Sequence, residues 1–99
     1  MLSLRTNSDI LLDIAHRIKE RRLESNFTQE DLAKRSGCAL ATYRRFERTG
    51  EISLKNLVLI AFALGFEDDF DLLFQKKKYA SIDELIQEEV KKRKRGKSS

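Results

Sequence analysis

Proline and tryptophan are absent from these 99 residues, and there are only one cysteine, one histidine and four glycines. Each shortage closes a route. Without proline, and with so little glycine, few positions interrupt a helix, and a fold of strands and tight turns lacks its punctuation. The single thiol, Cys38, forms no internal disulfide, and with His16 as the only imidazole no His/Cys cluster has metal-ligand spacing. No apolar run reaches the roughly 18 residues of a membrane-spanning helix. The opening Met1-Leu2-Ser3-Leu4-Arg5 has no apolar core of the kind a secretory signal carries. Enzyme chemistry is equally thin, with no nucleophile–base pair, no phosphate-cradling glycine loop and no paired acids in a recognisable frame. These absences describe an all-α, non-enzymatic protein of the reducing cytoplasm, with no membrane, cofactor or metal.

Charge is plentiful: 36% of the residues are charged, against 40% apolar, and the net charge is +4. The excess is not spread evenly. Residues 1–75 hold 11 Lys+Arg against 12 Asp+Glu, whereas residues 76–99 hold 9 against 4. The length suits one domain, read as residues 1–75, followed by a C-terminal extension over 76–99 that ends in a basic tail. General attraction to polyanions belongs to the tail, and any specific surface on the near-neutral body depends on local clustering.

Along the chain, Asn7-Ser8-Asp9 reads as a cap for a first helix reaching about Ser25. Leu11, Ile14, Ala15, Ile18 and Leu23 form its apolar face, with Asp13, Arg17, Lys19, Glu20 and Arg21 opposite. Asn26-Phe27 breaks it, Thr28 with Asp31 three residues on caps a second helix over 29–35, and Gly37 stops that one. A third helix is expected over 40–48, closed by Thr49-Gly50-Glu51. Ser53 caps a fourth, apolar nearly all round and therefore central to the core, which Gly65 ends. A fifth is expected over 67–74, its acids favoured in the first turn by the helix dipole. In the extension, Ser81 with Glu84 predicts a short helix to about Val90, and the lysine–arginine run from Lys91 to Ser99 reads as disordered.

The informative stretch is 28–48. With Gln29 as the first position of two short helices joined by a tight turn, Ala33 is fifth, Gly37 ninth, Tyr43 fifteenth and Phe46 eighteenth. The fifth residue must be small because the second helix of the pair crosses over it, and the ninth must reverse the chain. Leu32, Cys38, Tyr43 and Phe46 then point inward and set the angle between the helices, leaving the outer face of the second free for a major groove. Thr28-Gln29-Glu30-Asp31-Leu32-Ala33-Lys34-Arg35-Ser36-Gly37, followed by Thr42-Tyr43-Arg44-Arg45-Phe46-Glu47, resembles the helix-turn-helix of Cro/CI-type (XRE family) regulators. Ser53-Leu54-Lys55-Asn56-Leu57 and Ala61-Phe62-Ala63-Leu64-Gly65 are similar to the fourth helix of that family.

The resemblance implies a five-helix lambda-repressor-like DNA-binding domain acting as a transcriptional repressor. Gln29 would hold a phosphate, helped by the helix-end amides. Leu40, Ala41, Thr42, Arg44 and Arg45 would form the reading face, with Arg45 the first choice for a bidentate contact to guanine and Arg44 for a base or a phosphate. Arg48 and Thr49 would touch the DNA backbone. Leu40 and Ala41 stand where such regulators often carry polar residues, so thymine methyl groups are their natural contacts. A homodimer joined through its C-terminal side would read an inverted-repeat operator.

Other features have plainer readings. Tyr43 and Phe46 are core aromatics, Cys38 is a small buried hydrophobe, and His16 decorates the surface. Glu67, Asp68, Asp69 and Asp71 lack the spaced, glycine-bearing loop of a calcium site. Asp69-Phe70-Asp71-Leu72-Leu73-Phe74, then Tyr79-Ala80-Ser81-Ile82-Asp83-Glu84-Leu85 and the basic end, are similar to regulators of the HipB antitoxin type. That likeness implies autorepression and a HipA-like Ser/Thr kinase toxin as partner. A stand-alone repressor is the alternative.

Overall fold

The computed structural model describes residues 4–76 and 86–93. Among them every regular element is helical: α1 (Asn7–Glu24), α2 (Gln29–Ser36), α3 (Leu40–Thr49), α4 (Leu54–Leu64) and a 3-10 helix (Glu67–Asp71), with residues 86–93 helical as well. The all-α, five-helix expectation for the body holds. No helix among the described residues is long and apolar enough to cross a membrane.

Local chemistry accounts for most boundaries. At α1 the cap is Thr6, one residue before the expected site. Its hydroxyl accepts from the Asp9 amide at 3.2 Å while the Asp9 carboxylate accepts from the Thr6 amide at 3.0 Å. That reciprocal pair satisfies two end donors at once, which Asn7 could not do with any acid three residues on. Thr28 and Asp31 form the same box on α2, at 3.0 and 2.9 Å. The Thr28 hydrogen bonds also hold the Asp31 carboxyl below its ordinary range. Ser53 caps α4 by accepting from the Asn56 amide at 3.1 Å.

Several expectations need correction. Leu23, placed on the buried face of α1, is 53% exposed, and Arg22 occupies the buried register with Ala15 and Ile18. The fifth helix is a 3-10 helix of five residues, held by bonds such as Leu72 N–H to Asp69 O and Leu73 N–H to Phe70 O. A helix this short takes its geometry from tertiary packing, here against α4, more than from propensity. Leu73 lies past its end, in a turn closed by the bond from its N–H to the Phe70 carbonyl. Phe74, at φ 62°, ends the segment. In the extension, Lys91, Lys92 and Arg93 continue the helix instead of joining a disordered run. Glu88 and Glu89 stand four residues before Lys92 and Arg93, the favoured order for helical ion pairing. The expected Ser81 cap and Lys94–Ser99 lie outside the described residues.

The core is one cluster of Ala15, Ile18, Leu32, Cys38, Tyr43, Phe46 and Ile60, ringed by half-buried residues including Phe27, Ile52, Leu57 and Phe66. α1 packs on α3, α2 on both α3 and α4, and the 3-10 helix on α4. α4 is less central than its composition suggested: only Ile60 and Ala61 are buried, and Leu54 and Phe62 are exposed. Cys38 is buried, and burial pushes its thiol pKa up, in keeping with a small apolar role. His16 sits on the surface, 2.9 Å from Glu20.

Gly37 and Gly50 both adopt φ 79°, but under different constraints. A Cβ at Gly37 would meet nothing within 4 Å, whereas at Gly50 it would lie 2.6 Å from the Leu11 carbonyl carbon of α1. Gly37→Ala should therefore cost only the left-handed penalty, roughly 1–2 kcal/mol. Gly50→Ala should add about 1–3 kcal/mol of overpacking against a helix backbone that cannot step aside. Urea unfolding of the two variants compares them directly. Equal losses would show that α1 does not approach Gly50 so closely in solution.

Candidate nucleic-acid interface

The α2–turn–α3 unit is held rigid from inside. Leu32, Tyr43 and Phe46 are fully buried, with the two rings 6.0 Å apart between centroids and tilted by 59°. Ala33 and Cys38 are buried at the crossing and the turn, as the spacing predicts. Gly37, in the left-handed conformation, reverses the chain.

Beneath this unit lies a buried polar cluster centred on Glu47. Arg22 donates through Nε to Glu47 Oε2 at 2.8 Å and through Nη2 to Oε1 at 3.2 Å; Gln29 donates from Nε2 to Oε1 at 2.9 Å; and the Tyr43 hydroxyl donates to Oε2. Nη1 of Arg22 binds the Phe27 carbonyl at 2.8 Å. The Arg22 and Glu47 side chains are only 8% and 7% exposed. Burial works to raise the Glu47 pKa, but hydrogen bonds from Arg22, Tyr43 and Gln29 outweigh it and hold the carboxyl below its ordinary range. The Glu47 hydrogen bond, opposed by burial, raises the pKa of Arg22. Burial and the adjoining carboxylate push the Tyr43 phenol far up, so it stays protonated and donates. Four donors on two oxygens saturate the carboxylate.

The outer face of α3 presents Ala41, Arg44, Arg45 and Arg48, all exposed and spaced to share one side of the helix. Leu40 and Thr42 are half-buried at its first turn. Arg45 pairs with Glu51 at 2.9 Å, and Arg44 lies 3.8 Å from Glu30 on α2. Thr49 is turned into the chain: its hydroxyl donates to the Arg45 carbonyl at 2.8 Å and accepts from the Glu51 amide at 3.1 Å. Its one proton is thereby occupied. Gln29, at the start of α2, is half-buried and faces Glu47.

A family model described as Helix-turn-helix matches residues 18–70, more than half of the chain. The chain belongs to the helix-turn-helix family. The matched stretch takes in Arg22, Glu47, both helices of the α2–turn–α3 unit, α4 and most of the 3-10 helix. It makes the protein a DNA-binding regulator in general class and double-stranded DNA its expected ligand. No curated protein matches the chain significantly.

Sequence reasoning missed the Glu47 cluster and the two carboxylates beside the arginines. One signal was present: Ala15, Ile18 and Arg22 follow helical spacing, so a charge interrupts a buried stripe at the place where Leu23, one residue on, was read instead. Helix-turn-helix proteins read DNA with a fixed angle between two helices, and here that angle is tied to a titratable group. Replacing Glu47 by Gln leaves the Arg22 charge buried without its counter-ion, at a cost of about 3–5 kcal/mol in urea unfolding at neutral pH. A carboxyl whose folded pKa is depressed stabilises fully above its unfolded value, about 4.3, and loses that contribution as pH falls through the folded value. The wild type should therefore lose stability steeply below about pH 4.3, and Glu47→Gln should flatten that slope. Parallel acid slopes in the two proteins would remove Glu47 from this role.

Proposed function

We propose that this helix-turn-helix protein is a sequence-specific transcriptional repressor that binds an inverted-repeat operator as a homodimer and acts on its own promoter. The observation that carries the reading is the exposed α3 face, where Ala41, Arg44, Arg45 and Arg48 line up on a helix whose angle is fixed from beneath. Arg45 would leave Glu51 and take guanine O6 and N7, since an exposed ion pair contributes only about 0–1 kcal/mol and yields readily to a bidentate base contact. Arg44 would exchange Glu30 for a base or a phosphate. Ala41, with Leu40 and Thr42 beside it, would meet thymine methyl groups and base edges. Arg48 would hold the DNA backbone. Gln29 keeps a second amide hydrogen that a phosphate can accept, and Thr49 would reach one only through a change of its hydroxyl rotor. Two-fold symmetry would set the half-sites about 34 Å apart.

Binding of the full chain to its own upstream DNA, followed by anisotropy against scrambled competitor, tests this. Arg45→Ala should cost about 1–3 kcal/mol on the specific site and relax preference at one base pair. An unchanged binding curve would take Arg45 off the reading face. Binding that is equal on both DNAs and abolished by salt would mean that the basic tail acts alone.

An antitoxin role, with a HipA-like Ser/Thr kinase as partner, is a second reading. It is favoured by the 72%-exposed Leu72 after the 3-10 helix, apolar surface that DNA binding does not use. The remainder of the motif behind it, Tyr79–Leu85, lies outside the described residues. Co-expression with a kinase-like protein encoded next to this one decides it: a stable complex with silenced kinase supports the reading, and an active kinase that elutes alone ends it.

A further inference from the structure

Among the described residues, one face of the body is left without a covering. Between α1, α4 and the 3-10 segment runs a groove of about 430 Å³, walled by Ile14, Ile18, Leu57, Phe66, Phe70 and Leu73. Leu54 and the 95%-exposed Phe74 stand at its mouth. Arg17, Arg21 and Asp69 border it, with Arg21 lying over the Phe66 ring and 3.5 Å from Asp69. Contiguous apolar surface of this kind on a small soluble domain marks a contact site.

The same chain carries a matching uncovered stripe. In the helical segment 86–93, Ile86 and Val90 lie four apart on one side and are 55% and 44% exposed. Glu89 and Arg93 flank them on the helix surface. None of these residues lines the groove of their own chain. We propose that the groove receives the 86–93 helix of a second copy, with Ile86 and Val90 seated between α1 and α4. Glu89 then faces Arg17 and Arg21, and Arg93 faces Asp69. This rests on the dimeric reading above and names the surfaces that make the dimer. Each copy offers one groove and one helix, so a two-fold exchange fills both grooves and covers both stripes, as an isologous interface requires. An exchange of this kind also gives a domain of this size more buried apolar surface than it assembles alone.

Sedimentation of the full chain at micromolar concentration tests the proposal, with circular dichroism melting to check that each variant is folded. Ile86 and Val90 lie outside the core, so Ile86→Lys with Val90→Lys should leave the body folded while weakening the dimer about tenfold or more. Arg17→Glu should weaken it too, and adding Glu89→Arg to the same chain should restore it. A wild-type dimer that Ile86→Lys/Val90→Lys leaves intact would overturn the docking while leaving the dimeric reading in place. A monomeric wild type whose melting temperature falls in that variant would show the helix folding onto its own body, which overturns exchange between copies. A monomeric wild type indifferent to the changes would overturn both the docking and the dimer, without touching base reading by Arg45, which the DNA measurement judges by itself.

Discussion

The position of α3 depends on one carboxylate. Apolar burial brings Leu32, Tyr43, Phe46 and Ile60 together and packs α2 against α3, but the attraction itself has no direction. Hydrogen bonds to Glu47 do have direction. Arg22 comes from α1, Gln29 from the first turn of α2, and Tyr43 and Glu47 from α3, while the remaining Arg22 nitrogen holds the Phe27 carbonyl in the α1–α2 connection. A buried ion pair is seldom better for stability than a well-packed apolar replacement. Its contribution here is geometric, because three helices and a loop must agree on one arrangement for every donor to be satisfied.

Much of the fold was legible because it is set locally. Thr28 and Asp31, Ser53, and the left-handed Gly37 and Gly65 act within a few residues of themselves, and reading them needs no knowledge of the rest of the chain. Apart from the Thr6 cap and the end of the 86–93 helix, what failed to show depends on contacts beyond the local segment. Arg22 looks like one more surface cation until Glu47, 25 residues away, is placed against it. Periodicity weighs apolarity, so it preferred Leu23. The acids of 67–71 suit the first turn of an α-helix or a 3-10 helix equally well, and packing against α4 sits behind the choice.

At the candidate site the division runs the same way. That Arg44, Arg45 and Arg48 lie on the outer face of α3 follows from spacing once Tyr43 and Phe46 are assigned inward. The inward turn of Gln29 does not, since it depends on the Glu47 cluster beneath. Nor do the Glu51 and Glu30 carboxylates beside Arg45 and Arg44, since long side chains cross between elements in ways that spacing along one helix does not record.

Those carboxylates bear on how such a surface would discriminate. Specificity is a difference between affinities, and it grows when the wrong partner is penalised. The body carries nearly as many acids as bases, and two of its outward arginines already have a counter-charge at hand. A lone phosphate offers Arg45 little that Glu51 does not, because one anion replaces another. A guanine edge offers two aligned acceptors with defined geometry. Under the proposed function, pairing on the free protein lowers loose attraction to any DNA more than it lowers binding to the right sequence. Undirected attraction is then left to the basic residues of the C-terminal extension, which are remote in sequence from the reading helix.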